Sequence, residues 1–426
     1  MPDVHVVAVG MIRFGKYPEL GIKDLTAMVV KNLLDHSPVG QDAIEAAWMG
    51  NAGWGMSIGQ HCIRGQVALG PLGFGEIPIM NVENACAGGS SAFHGAWLGI
   101  AAGAYDVALA IGAEKTFVPK SATPEQKKKG FDSFLAGTDV EVTTKLIEQM
   151  KADAERRRKE LEAAGQLEKG KGGGARSPFM DIYSMGARAH SQRYGSTQEQ
   201  LAMIASKNHY HGSLNPDAQY RMTMSVEEVL NDRLVSHPLT RAMCAPMGDG
   251  AAAAILVSGE YLKRLEDARP VKVRASVLAS GSSKPGNQAQ AVAQKAYDMA
   301  GVGPEDIDTA EVHDATAFGE LAMTESLGFC GEGEGGRYAE SGATKLGGAK
   351  PINPSGGLEC RGHPIGATGL AQIAEIVYQL RGDAGERQVK GARLGMTENG
   401  GGFIGTGEAA IAVHILEAAS RGGGRS

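Results

Sequence analysis

NVENACAGGSSAFHGAWLGIAAGAYDVALAIGAEKT, Asn81 to Thr116, holds a strand end, a cysteine, a small-residue helix and a second strand in one stretch. IPIMNVENA is apolar and stops just before Cys86. AGGSSAFHGAWLGIAAGAY offers Ala, Gly and Ser on nearly every side, which predicts a helix packed closely on all faces. DVALAIGAEKT then reads as a short buried strand. This alternation predicts an α/β layered fold with a mainly parallel sheet. Cys86 stands where strand gives way to helix. A thiol there lies beside unpaired N–H groups and the positive end of the helix dipole. Both favour thiolate, and the N–H groups can hold an oxyanion. A free cysteine is also commonly a small core hydrophobe, and position alone leaves both readings open.

The same texture extends to both sides. HVVAVGMI (His5 to Ile12) reads as a strand, IKDLTAMVVKNLLDH as a helix, and AIEAAWMGNA as a strand entering a Gly-containing loop. From about Pro270 the pattern returns. VKVRASVLASG, DIDTAEVHDA, ARLGMTENGGG and EAAIAVHIL read as strands, with AQAVAQKAYDMAG, FGELAMTESLG and ATGLAQIAEIVYQLRG as helices. Between them, EVTTKLIEQMKADAERRRKELEAAGQ predicts a charged helix, either a solvated surface element or a docking surface for a partner subunit. KGKGGGARS after it reads as a flexible loop. The expected organisation is a first half over 1–116, a loop domain with the charged helix over 117–240, and the end of the first half over 241–268. A second half follows over 269–420, then a disordered tail over 421–426.

With 426 residues, 42% hydrophobic and 21% charged, the composition is that of an ordinary globular chain. A net charge of -6 argues against nucleic acid as the main partner. No long apolar run predicts a membrane span, and the first residues lack the pattern of a secretion signal. Cys62, Cys86, Cys244, Cys330 and Cys360 are widely spaced, with no CxxC. A disulfide framework or bound metal is therefore not expected, and a reducing cytoplasm is.

Three further stretches could carry chemistry with Cys86. In NPSGGLECRGHPIGATGLAQ (Asn353 to Gln372), His363 sits between Gly362 and Pro364, a rigid setting for a base, with Thr368 and Ser355 near enough in sequence to bond backbone. In EVHDATAF, His313 follows a strand and precedes a helix; it reads as a donor to a carbonyl oxygen or as a structural cap. In MTENGGGFIGTG, Gly400, Gly401 and Gly402 permit close backbone approach to a substrate or make a flexible connection, with Glu398 at the edge.

Together these stretches resemble the thiolase superfamily, and within it the sterol-carrier-protein-x type, including the benzoylsuccinyl-CoA thiolase large subunit. NVENACAGGSSA resembles the nucleophile segment, HDATAF the HDCF segment and NPSGGLECRGHPIGATGLAQ the GHP segment. MTENGGG falls where most thiolases carry CxG, and KNHYHGSLNP and MCAPMGDGAAAAILVS resemble the middle of the family. The resemblance implies two similar βαβαβ halves in a five-layer α/β/α/β/α core with a loop domain. It implies a homodimer, acyl-CoA and CoA as substrates, and no covalently bound cofactor. Cys86 would carry the acyl group, His363 would take the thiol proton, and His313 would hold a thioester oxygen. Gly400, Gly401 and Asn353 would bind substrate or oxyanion. Relatives of this type often pair with a small zinc-ribbon and OB-fold subunit and act on bulky, branched or aromatic acyl groups.

One departure stands out. The usual second cysteine is missing: HDCF reads His313-Asp314-Ala315-Thr316, and CxG reads Glu398-Asn399-Gly400. Glu398, Cys360 and His313 remain as candidates for the second acid/base, with Glu398 favoured by position. The chemistry expected is thiolysis of a 3-oxoacyl-CoA or its condensing reverse, as in an acetoacetyl-CoA thiolase. A retro-aldol lyase of a 3-hydroxyacyl-CoA, which needs no thioester on the enzyme, is the main rival. A thiolase-shaped carrier without turnover is a third reading.

Overall fold

The strands are β1 (Val4–Met11), β2 (Ala46–Gly50), β3 (Ile79–Val82), β4 (Val107–Glu114), β5 (Leu234–Ser236) and β6 (Leu239–Thr240), then β7 (Gly250–Ser258), β8 (Val271–Ser280), β9 (Thr309–Glu311), β10 (Leu394–Ile404) and β11 (Gly407–Ala418). They belong to a computed structural model that describes residues 2–117, 123, 135–145, 148–149, 152, 156, 178–282, 286–405 and 407–419. Nine strands join in the order β3-β2-β4-β7-β1-β8-β11-β10-β9. The two halves touch at β1 and β8, through His5 opposite Lys272 and Val6 opposite Val271. Outward from that seam the halves read alike, β1-β7-β4-β2-β3 and β8-β11-β10-β9. Ile352 bridges Ala310 in parallel where the first half carries β3.

The sheet is not mainly parallel. β2 pairs in parallel with β3 and β4, and β9 with β10. The closing strand of each half, β7 or β11, instead inserts antiparallel between its neighbours. Strands buried on both faces, such as β7, show no alternation, and an unbroken apolar run carries no sign of direction.

Five layers follow from where the apolar faces go. The Ile22–Asp35 helix buries Leu25, Val29 and Leu33 on the outer side of the first half. The Gln288–Ala300 helix buries Val292, Ala296 and Tyr297 on the outer side of the second. Between the two halves of the sheet lie the Gly88–Ala101 and Thr368–Arg381 helices, whose Phe93, Ile100, Leu370 and Ile373 share one core. Small residues set their approach. A Cβ on Gly89 would come 3.0 Å from Gly366 O, and one on Gly369 would come 2.1 Å from Ser90 Oγ. This contact brings the helix starts together, and with them Cys86 and His363.

A separate cluster of Leu201, Ile204, Leu239, Met243 and Leu321 holds the loop region over the site. Of the expected charged helix, residues 141–145, 148–149, 152 and 156 are helical. Its remainder, KGKGGGARS and the tail 421–426 lie outside the described residues.

Candidate active site

Cys86 sits in a tight 3-10 turn, Ala85–Ala87, just ahead of the helix that begins at Gly88. Glu83 accepts the Ala85 N–H at 2.7 Å, and Asn84 Nδ2 donates to Ser91 Oγ at 2.8 Å. Ala85 is held at φ +47, a left-handed conformation that costs an L-residue about 1–2 kcal/mol. The turn is thus over-determined by its neighbours, as at strained functional sites generally.

His363 Nε2 lies 3.1 Å from Cys86 Sγ. Its tautomer follows from its other side. Thr368 Oγ1 donates its one hydrogen to Pro364 O at 3.0 Å and must therefore accept from His363 Nδ1 at 2.7 Å. The proton is on Nδ1, and the Nε2 lone pair faces the sulfur. His313 is arranged the opposite way. Asn399 Nδ2 can only donate, and it reaches His313 Nδ1 at 2.9 Å, while Asn399 Oδ1 accepts from Ser90 Oγ at 3.0 Å. His313 therefore carries its proton on Nε2 and is a donor. The two rings stand edge to face, 5.3 Å apart. Cys86, His313 and His363 each bring a ligand atom within 4.8 Å of the others, a spacing a metal could bridge. The Asn399 bond leaves His313 no lone pair for that purpose.

Burial outweighs the helix start at Cys86. Its thiol is pushed up to about 12, even though the Gly402 and Cys86 N–H groups both favour the anion. The resting group is a thiol, contrary to the expected thiolate. Burial also pulls His313 down to about 4, and holds His363 well below the ordinary histidine range with help from His313 and Arg361. Sulfur and rings are neutral together near pH 7. A nucleophilic role for Cys86 would require proton transfer to Nε2 as the sulfur attacks.

The three residues open on a cavity of about 320 Å³ whose apolar wall includes Met56, Phe179, Met180, Tyr183, Met247 and Phe403. Gly400 and Gly401 line it as well. The glycine run is not a flexible connection but part of β10. A Cβ on Gly401 would come 2.2 Å from Asn84 O and 2.6 Å from Ala87 N, so the strand lies directly against the Cys86 turn. Gly402, at φ +63, lines the cavity too, and its N–H favours the Cys86 anion.

Other expected residues lie elsewhere. Asn353 does not reach the cavity. It is fully buried at φ +53, its Oδ1 accepts Val312 N–H at 2.8 Å, and its Nδ2 donates to Glu320 at 2.9 Å. Cys360 is fully buried behind the site, against Gly212 and Gly356. Glu398 is buried without lining the cavity, and its Oε2 accepts His313 N–H at 2.9 Å. Residues that the sequence reading passed over do reach the cavity, notably Glu408, Tyr183, Phe179 and Cys244. Glu408 had a usable signal. Reading Ile404 to Gly407 as a hairpin turn would have folded this carboxyl back toward the glycine run, where it pairs with Phe403.

Glu114 ties the halves together beside the site. Its carboxyl accepts N–H groups from Ala52 and Gly53 in one half and Gly366 in the other, at 3.0, 3.0 and 3.1 Å.

The model of the thiolase N-terminal domain matches residues 4–260, and that of the thiolase C-terminal domain-like family matches residues 277–415. The chain belongs to the thiolase family. This thiolase is 37% identical over 424 residues to acetyl-CoA acetyltransferase of Methanothermobacter thermautotrophicus, covering 98% of this chain and 100% of that one. It is 33% identical over 409 residues to benzoylsuccinyl-CoA thiolase subunit BbsB of Thauera aromatica, covering 94% of each. The solved Ltp2-ChsH2(DUF35) aldolase shares the fold, with TM-score 0.74, 21% identity and 99% of each chain covered. The chain is a CoA-dependent acyltransferase of the thiolase type, with CoA as substrate rather than as a covalent cofactor. No helix among the described residues is long and apolar enough to cross a membrane.

The expected cytoplasmic location is corrected. Human mitochondrial 3-ketoacyl-CoA thiolase has the same fold, with TM-score 0.70, 17% identity and 98% of this chain covered. Free cysteines on this fold therefore do not assign the cytoplasm.

Proposed function

We propose that this thiolase cleaves a bulky, branched or aromatic 3-oxoacyl-CoA with CoA through a thioester on Cys86. The observation that carries the reading is the 3.1 Å contact of Cys86 Sγ with a His363 Nε2 whose lone pair faces it. Sγ attacks the 3-keto carbon as its proton passes to Nε2. The N–H groups of Cys86 and Gly402 stabilise the oxyanion, such a donor being worth about 2.7–4 kcal/mol. The C2–C3 bond breaks, and His313 Nε2–H holds the thioester oxygen of the departing enolate. CoA then takes the acyl group from Cys86. A retro-aldol lyase has no use for the Cys86–His363 contact.

The apolar, aromatic wall of the cavity supports a large acyl group. A second reading, condensation of two acetyl-CoA, is favoured by the acetyl-CoA acetyltransferase relative. A homodimer is supported by β3, which pairs on one side with β2 and, among the described residues, has no strand on its other edge at the end of the sheet. A small zinc-ribbon and OB-fold partner subunit is proposed with it.

The test is thioester trapping on Cys86 followed by a CoA-release assay over a panel of 3-oxoacyl-CoAs, on protein purified with whatever accompanies it. Turnover of aromatic and branched substrates above acetoacetyl-CoA supports the first reading, and the reverse order supports the second. Turnover with no mass adduct on Cys86 would falsify both.

A further inference from the structure

Thiolases of the usual kind use a second cysteine as acid/base, and neither HDAT nor Glu398-Asn399-Gly400 supplies one. A carboxyl does reach the cavity beside Cys86, from a segment outside all four motifs. Glu408 stands second in β11 and lines the same cavity as Cys86, His313 and His363. The space it fills is made by a missing side chain, since a Cβ on Gly400 would lie 1.9 Å from Glu408 Oε1. Glu398 lies behind it, fully buried, with Oε1 unpartnered among the described residues. The titratable groups whose charges interact with Glu408 are Glu398, Cys86 and Tyr183. Burial pushes Glu408 up to about 7, and Glu398 is raised by burial and then by Glu408. Two such carboxyls do not both ionise readily near neutral pH.

We infer that Glu408, rather than Glu398 or Cys360, is the second acid/base of this thiolase, exchanging protons with substrate C2 and with the CoA thiol. The inference rests on the thioester reading above. When C2–C3 breaks, its electron pair takes the proton of the Glu408 carboxylic acid and becomes the new C2–H bond. The Glu408 carboxylate then removes the proton of the incoming CoA thiol. That sulfur attacks the Cys86 thioester, Cys86 leaves as thiolate, and His363 returns its proton. Glu408 gains the thiol proton and ends the cycle as the acid it began as.

The test uses Glu408→Gln, which keeps the shape, and Glu408→Asp, which keeps the acid. Acylation of Cys86 by an aryl thioester needs no proton for its leaving group, so mass spectrometry reads the Cys86–His363 pair alone. Exchange of C2 protons with deuterium oxide, and turnover, read the second acid/base. Glu408→Gln is expected to acylate within about threefold of the parent while exchange and turnover fall on the order of 100-fold or more. Glu408→Asp should recover part of that loss. Exchange and turnover within threefold of the parent would overturn the inference, as would acylation falling as far as turnover. So would a loss of exchange in Glu398→Gln that is absent in Glu408→Gln. A parent enzyme that cannot be acylated at Cys86 defeats the thioester reading itself, a result distinct from each of these.

Discussion

The two strand-to-helix junctions at the centre of the molecule do the same job by different means. In the first half, β3 ends at Val82 and residues 83–87 lead into the Gly88–Ala101 helix. In the second, Ile352 lies beside β9, and residues 353–367 lead into the Thr368–Arg381 helix. One junction delivers Cys86 and the other His363. Each contains a left-handed non-glycine residue, Ala85 at φ +47 and Asn353 at φ +53. The first is short, and strain beside the cysteine aims the sulfur. The second is long, and buried polar groups aim the imidazole from a distance. Asp314 accepts Leu358 N–H at 2.7 Å, and Glu311 holds Ser355 and Arg361 at 2.8 Å each. A group can thus be placed by local backbone or by a remote network, and mutations should tell the two apart.

The largest effect is expected where the junctions meet. Cys86→Ala removes the proposed nucleophile and should lower thiolysis by at least about 10,000-fold, the scale of nucleophile deletions elsewhere. The acyl adduct formed from 3-oxoacyl-CoA should vanish from the mass spectrum while the thermal midpoint hardly moves. Full retained turnover would leave the short junction without a catalytic purpose.

Next comes the network of the long junction. Arg361→Met leaves Glu311 buried without its cation, both side chains being fully enclosed. Breaking one partner of a buried pair typically costs about 3–5 kcal/mol. Urea denaturation should show that loss, and the Glu311→Leu, Arg361→Met double variant should lose less than the sum of the singles. Additive losses would show that the long junction is not held by this pair.

Thr368→Val tests the tautomer. Without Oγ1, the His363 Nδ1–H has no acceptor and the ring loses its fixed orientation. Acylation of Cys86 should slow by about 10–100-fold, consistent with a lost hydrogen bond of about 1–3 kcal/mol. The pH profile sharpens this. Burial lowers the His363 pKa, so the base form persists into acid, and activity should fall only as pH drops well below 6.5. An acid limb at or above 6.5 would contradict the enclosed, neutral ring.

These differences also explain what the sequence could reveal. The first junction was legible because its parts are contiguous: an apolar strand, Cys86 and a small-residue helix follow one another within Ile79–Ala101. His363 was legible as a member of a Gly- and Pro-bounded motif, but its partner Thr368 was only one of two hydroxyls in reach. The family resemblance places Asn353 on the substrate, whereas its side chain satisfies Val312 and Glu320 across the fold. Glu408 went unseen because it reaches the cavity by a hairpin outside any motif. The direction of β7 and β11 was hidden for a simpler reason, since alternation marks a face and neither strand has an exposed one over its buried stretch.

The smallest expected effect separates strain from network most cleanly. Ala85→Gly removes the cost of the left-handed conformation, about 1–2 kcal/mol, and adds back about 0.5–1 kcal/mol of unfolded-chain entropy. Stability should therefore hold or rise by up to about 1.5 kcal/mol. Cys86 loses its rigid neighbour, so its acylation rate should drop a few-fold. Asn353→Gly occupies the same backbone region equally well but loses two buried hydrogen bonds, leaving Val312 N–H without its acceptor. It should cost more than about 2 kcal/mol, since each orphaned buried group costs about 1–3 kcal/mol. Equal losses in the two variants would mean that Ala85 is held by contacts of its own and not by strain. A stable Ala85→Gly with slowed acylation would mean that the first junction gives up stability to aim one sulfur, while the second offsets its own left-handed residue with the two hydrogen bonds of the Asn353 side chain.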